Sequence, residues 1–136
     1  MKLRPFYCNR INKDVRILDC KLFDSELKIM EFLWENGEQS AREIAQYAAK
    51  TVGWSKTTTY TVLKKCVDKG AIERREPGFM CRALVSREEV RRAETEELIG
   101  RLYGGSADLL VASLLDGKRL TKEEIARLKE RIRELE

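Results

Sequence analysis

Apolar and polar positions alternate with a helical period over most of the chain, and the period changes once. From Leu22 onward, Leu27, Met30, Leu33 and Trp34 recur at three- and four-residue spacing, with Asp24 as the expected N-cap and Asn36-Gly37 as the stop. Ser40 followed by Glu43 reads as a capping box. It opens a second helix with Ile44, Ala45, Ala48 and Ala49 on one face, broken at residues 51–53. Ser55 is the expected N-cap of a third helix, W-S-K-T-T-T-Y-T-V-L-K-K-C-V-D-K-G, which Gly70 ends. The period then shortens. Residues 71–75 and 79–85 flank Glu76-Pro77-Gly78, where Pro77 and Gly78 suit the two central positions of a type II turn. This predicts a two-stranded hairpin. Helical spacing returns with capping boxes at Ser86/Glu89 and Thr121/Glu124, and with Ser106 after the stop at Gly104-Gly105.

At about 100° per residue the third helix divides cleanly. Thr57, Thr58, Thr61, Lys64, Lys65 and Asp68 fall on one side. Thr59, Val62, Leu63, Cys66 and Val67 fall on the other, with Tyr60 on the boundary. Short hydroxyls near a helix start and ammonium groups further along suit a polyanion, because hydroxyls reach base edges and lysines neutralise phosphate. Three helices followed by a hairpin carrying Arg74, Arg75 and Arg82 is the order of a winged helix-turn-helix. The expected base-edge or methyl contacts are Thr57, Thr58, Tyr60 and Thr61. The expected phosphate contacts are Ser55, Lys64, Lys65, Arg74, Arg75 and Arg82, with Arg42 at the start of the second helix as a further backbone contact.

The C-terminal part reads as three helices. Leu98 and Leu102 belong to the first. The second, with Leu109, Leu110 and Leu114, is apolar nearly all round and is expected to be buried. In the last, Ile125, Leu128, Ile132 and Leu135 form a 3-4-3 seam between charged flanks. Three such helices make a poor core alone, so a second copy of the chain is the expected cover. The fold class expected is thus mainly α: a basic extension over residues 1–20, a winged helix-turn-helix DNA-binding domain over 21–85, and a three-helix dimerisation domain over 86–136.

Composition narrows the chemistry. The chain has 136 residues, a formal net charge of +4 and no histidine. That balance permits nucleic-acid binding without demanding it. Cys8, Cys20, Cys66 and Cys81 form no C-x-x-C pair, so neither a metal nor a cofactor is expected. No paired carboxylates or glycine-rich phosphate loop stand out, which argues against an enzyme. No apolar run approaches bilayer length and the first residues have no apolar segment, so the expected location is cytoplasmic. Two other readings fit the same residues. One is a winged-helix protein-interaction module; the other is a thiol redox-switched regulator using Cys8 and Cys20.

Four stretches together resemble the penicillinase-repressor family: E-x-x-I-M-E-F-L-W, the third helix continued as K-G-A-I, L-Y-G-G-S-A-D-L-L-V, and the ending L-T-K-E-E-I-A-R-L-K-E-R-I. The resemblance spans about residues 22–136. It implies a homodimeric transcriptional repressor on inverted-repeat operators, of β-lactam resistance genes in the best-known members. It also implies release by a membrane β-lactam sensor with a metalloprotease domain. Tyr60 stands where those members carry arginine, and Ser113-Leu114 matches their Asn-Phe cleavage position. The C-x-C motifs of the copper-responsive branch have no match here.

Overall fold

A computed structural model describes residues 21–136. The expectations for residues 1–20, including Cys8 and Cys20, lie outside it. The described chain separates into two compact units that divide between Glu94 and Thr95, inside a helix.

The first unit holds α1 (Asp24–Asn36), β1 (Gln39–Ser40), α2 (Ala41–Thr51), α3 (Lys56–Asp68), β2 (Ile72–Arg75) and β3 (Met80–Ala83). It also holds the start of α4 (Arg87–Leu102). The strands form one antiparallel sheet in the order β1-β3-β2. This is the winged helix-turn-helix that the chain's periodicity predicts, with β2 and β3 as the wing. Strand β1 has no signature in the sequence, because two residues are too short to carry an alternating pattern.

Helix α3 is organised by its two sides. Thr59, Val62, Leu63 and Cys66 are buried, whereas Thr57, Thr58, Thr61, Lys64, Lys65 and Asp68 are all exposed. Ile29, Met30 and Leu33 of α1, Ala41 and Ile44 of α2, and Ile72 and Cys81 of the sheet join the buried side in one core. The ends of α3 are set locally. The Ser55 Oγ accepts from the Thr58 N–H at 3.1 Å. At the other end Ala71 N–H donates to the Cys66 carbonyl and Gly70 N–H to that of Val67, both at 3.0 Å, with Gly70 at φ 81°. That pair of bonds satisfies two carbonyls which the helix itself leaves open.

In the first unit four expectations need correction. Phe23, not Asp24, is the N-cap of α1. Its N–H donates to the Glu26 Oε1 at 2.8 Å, so the carboxylate of Glu26 rather than of Asp24 holds the first turn. Ala49 is exposed; the buried stripe of α2 runs through Ala41, Ile44 and Ala48, and position 49 has rotated out of it. The wing strands are shorter than expected, ending at Ala83. Their connection is not a type II turn: the Glu76–Pro77 peptide is cis and both Gly78 and Phe79 have positive φ. The Phe79 N–H finds the Glu76 side chain at 3.2 Å in place of a backbone acceptor.

The second unit comprises the end of α4, α5 (Ala107–Asp116) and α6 (Lys122–Leu135). Tyr103 Oη donates to the Ser113 Oγ at 3.4 Å across the turn between α4 and α5. The expectation that α5 is buried does not hold within one chain, for α5 has no buried residue. Leu109, Val111, Leu114 and Leu115 are 37–52% exposed, and Leu128, Ile132 and Leu135 of α6 are exposed as well. Among the described residues no single helix is long and apolar enough to cross a membrane.

One buried ion pair ties the first unit together. Lys69 Nζ lies 2.6 Å from the Glu26 Oε1, with side chains 15% and 1% exposed. The same ammonium donates to the Lys21 carbonyl at 2.6 Å and sits 4.4 Å from the Phe23 ring centroid. The end of α3 is thereby bonded to the start of α1. Removing one partner strands the other charge, which costs more than replacing both. Glu26→Ala should lower stability in urea unfolding by about 3 kcal/mol. Glu26→Leu combined with Lys69→Met should recover most of that loss.

Candidate nucleic-acid interface

The outward side of α3 forms an open depression of about 590 Å³ lined by Lys56, Thr57, Tyr60, Thr61 and Lys64. The lining follows from spacing, since positions 56, 60 and 64 are each four apart and share one helix face. Lys56 Nζ stands 5.9 Å from the Tyr60 ring centroid. Lys56 is not among the expected contacts, although the four-residue step from Tyr60 points to it. Lys64 is paired with Asp68 at 3.1 Å, one turn on. Lys65 is exposed beside it.

The hydroxyls are partly spent on the helix itself. Ser55 Oγ accepts from the Thr58 N–H and donates to the Thr58 Oγ1, both at 3.1 Å. Thr61 Oγ1 donates to the Thr57 carbonyl at 3.0 Å, and buried Thr59 does the same to Ser55 at 3.1 Å. Ser55 is therefore first a cap, and Thr61 turns its methyl and a lone pair outward.

Tyr60 and the wing meet in one stack. The Tyr60 and Phe79 rings pack edge-on with centroids 5.9 Å apart, and the Arg74 guanidinium lies 3.7 Å from the Phe79 centroid. This stack holds the wing against α3 and leaves Tyr60 half-buried. A second depression, of about 360 Å³, opens between Tyr60, Lys64, Val67, Asp68, Arg74 and Phe79.

The wing arginines each have a carboxylate. Arg74 Nε is 2.6 Å from Glu76, Arg75 Nη2 is 2.9 Å from Glu38, and Arg82 Nη2 is 2.5 Å from Glu73. The hydrogen bond from Arg74, with that from the Phe79 N–H, holds the Glu76 carboxyl below its ordinary range. The bond to Glu73 raises Arg82 in turn. Arg42, in the first turn of α2, is exposed. The structure thus brings Ser55, Thr57, Thr58, Tyr60, Thr61, Lys64 and Lys65 onto one helix, with Arg74 joined to it through the stack. Arg75 is committed to Glu38, just before β1, and Arg82 to Glu73 on β2. Among the described residues no three Cys, Asp or Glu side chains gather as a metal site.

The penicillinase repressor family model matches residues 22–134, both units together. The chain belongs to the penicillinase repressor family. It is 26% identical over 110 residues to a penicillinase repressor of Bacillus licheniformis, covering 79% of this chain and 86% of that protein. It is 23% identical over 111 residues to the methicillin resistance regulatory protein MecI of Staphylococcus aureus (strain N315), covering 80% and 90%. Among solved structures, that of the DNA binding domain of the repressor BlaI in solution matches 50% of this chain and 85% of its own. Its TM-score is 0.47 and its identity 26%.

In this member of the penicillinase repressor family the two described cysteines serve the core. Both are free and buried. Burial pushes the Cys66 thiol up to about 12, and the Cys81 thiol, also by burial, to about 11. Each is held protonated at neutral pH, and the thiolate is the reactive form. Labelling of the native protein with a maleimide at pH 8, mapped by peptide mass, should leave Cys66 and Cys81 slow to react. In denaturant both should label at the rate of an ordinary thiol. Fast native labelling at either would remove the packing role assigned to it.

Proposed function

We propose that this protein is a DNA-binding transcriptional repressor that acts as a homodimer on an inverted-repeat operator. The observation that carries the reading is the outward face of α3. On a winged helix-turn-helix frame, in a penicillinase repressor family chain, it gathers exposed threonines and lysines on one side, which supports contact with a duplex. Thr57, Thr58, Tyr60 and Thr61 read base edges or methyl groups, and Lys56, Lys64 and Lys65 neutralise phosphates. Arg42, Ser55, Arg74, Arg75 and Arg82 are backbone contacts at the edges of the same surface. The names of the relatives point to β-lactam resistance genes as the targets.

The homodimer is supported by the uncovered apolar faces of α5 and α6. Leu98, Leu102, Leu109, Leu110, Leu114, Ile125, Leu128, Ile132 and Leu135 supply the contact. A second copy buries them at no cost in new polar surface. Joining two winged helices raises the effective concentration at the second half-site, a gain of about 10²–10⁴ in avidity. A sensor protease cutting between Ser113 and Leu114 would discard that gain. Both residues lie within α5, so the helix must unwind locally before an extended chain can enter a protease.

Lys65→Ala should weaken binding to selected and random duplexes alike and reduce the salt slope by about 0.9. Thr61→Ala should relax the preference at one base position and leave the slope unchanged. An unchanged slope in Lys65→Ala would mean that α3 faces something other than a phosphate backbone. For the dimer, Leu109→Lys with Ile132→Lys should give monomers by light scattering. The operator affinity should fall by about 10²-fold or more. Monomeric wild-type protein at micromolar concentration would contradict it.

A further inference from the structure

The two parts of the interface differ in charge. The outward face of α3 carries Lys56, Lys64 and Lys65 against one acid, Asp68. The wing carries Arg74, Arg75 and Arg82 against Glu76, Glu38 and Glu73, one carboxylate within 2.9 Å of each guanidinium. The pairing is built into the sheet. Glu73 and Arg82 face each other across β2 and β3, where the register fixes them as partners. Glu76 is anchored a second time by the Phe79 N–H. Glu38 enters beside β1, on the opposite edge of the sheet from β2, and grips Arg75 with both oxygens, at 2.9 and 3.1 Å.

Carboxylates in these positions repel phosphate and occupy the guanidinium donors that would bind it. Ion pairs this exposed hold weakly, so a phosphate brought to the right place can replace them. A phosphate passing at random gains nothing, because the wing is neutral. Resting on the DNA-binding reading above, we propose that Glu38, Glu73 and Glu76 are specificity determinants. They cancel the charge of the wing, so that its arginines take phosphate only on a duplex that α3 has already docked. Non-specific affinity then comes from the lysines of α3 and from Arg42, not from the wing.

The test uses the full chain, a random-sequence duplex, and a duplex enriched from a random pool by the wild-type protein. Glu38→Gln, Glu73→Gln and Glu76→Gln keep the side-chain shape and remove one charge each. Affinity for the random duplex at 0.1 M salt should rise on the order of fivefold per substitution, and the salt slope should steepen by about 0.9. The enriched duplex should gain less, so the ratio of the two affinities falls. Glu130→Gln, on α6, changes net charge equally and should move neither value. Random-duplex affinity and slope equal to wild type in all three wing variants would overturn the proposal. So would an equal gain on both duplexes, or the same gain from Glu130→Gln. Wild-type protein that bound no duplex in a salt-dependent way would sink the DNA-binding reading first, before any variant was made.

Discussion

One side of α3 has to be in the core for the other side to be presented at a fixed angle. Thr59, Val62, Leu63 and Cys66 meet α1, α2 and the sheet with no room to rotate. A turn of one residue would bring a lysine inward and expose Leu63. The burial of four side chains thus orients three threonines and two lysines, although none of those five contributes to the core. The Glu26–Lys69 pair adds a polar constraint at the far end of the helix, where a charged residue is buried only because its partner reaches it.

Besides the pairing of β1 with β3 and the Arg75–Glu38 ion pair, the wing is attached to that frame by rings. Tyr60 packs on Phe79, and Phe79 carries the Arg74 guanidinium on its face. The same residue that borders the polar side of α3 therefore sets the position of the hairpin beside it. On the other side of the unit, Arg87 lies between Glu31 and Glu35, at 2.7 and 3.0 Å, and over the Trp34 ring. Trp34 Nε1 in turn donates to the Val85 carbonyl at 2.9 Å. These bonds hold the start of α4 to α1.

What was legible in the chain was local. The capping boxes at Ser40, Ser86 and Thr121 all form, each with its glutamate three residues on, because every partner lies within one turn. The two sides of α3 were legible for the same reason: period alone assigns them. The partners of the wing arginines were only half visible. Glu76 is two residues from Arg74, but Glu38 is 37 residues from Arg75 and arrives through β1, a strand too short to show a pattern. Nor does anything near Glu26 announce that Lys69 will bury it, since the pairing exists only once α1 and α3 have packed. The uncovered α5 shows the opposite case. Its all-round apolar composition was plain, while the single chain fully buries none of its residues.

The hydrogen bonds within α3 bear on what kind of base its surface could favour. Thr61 gives its proton to the Thr57 carbonyl, and Ser55 gives its own to Thr58. The outward chemistry left at position 61 is a methyl group and an oxygen lone pair. On the proposed reading, that combination meets the thymine methyl, or the amino hydrogens of adenine and cytosine. It has nothing to donate to the two acceptors on the guanine edge. A threonine that spends its hydroxyl proton on its own backbone has already narrowed the alphabet read at its position.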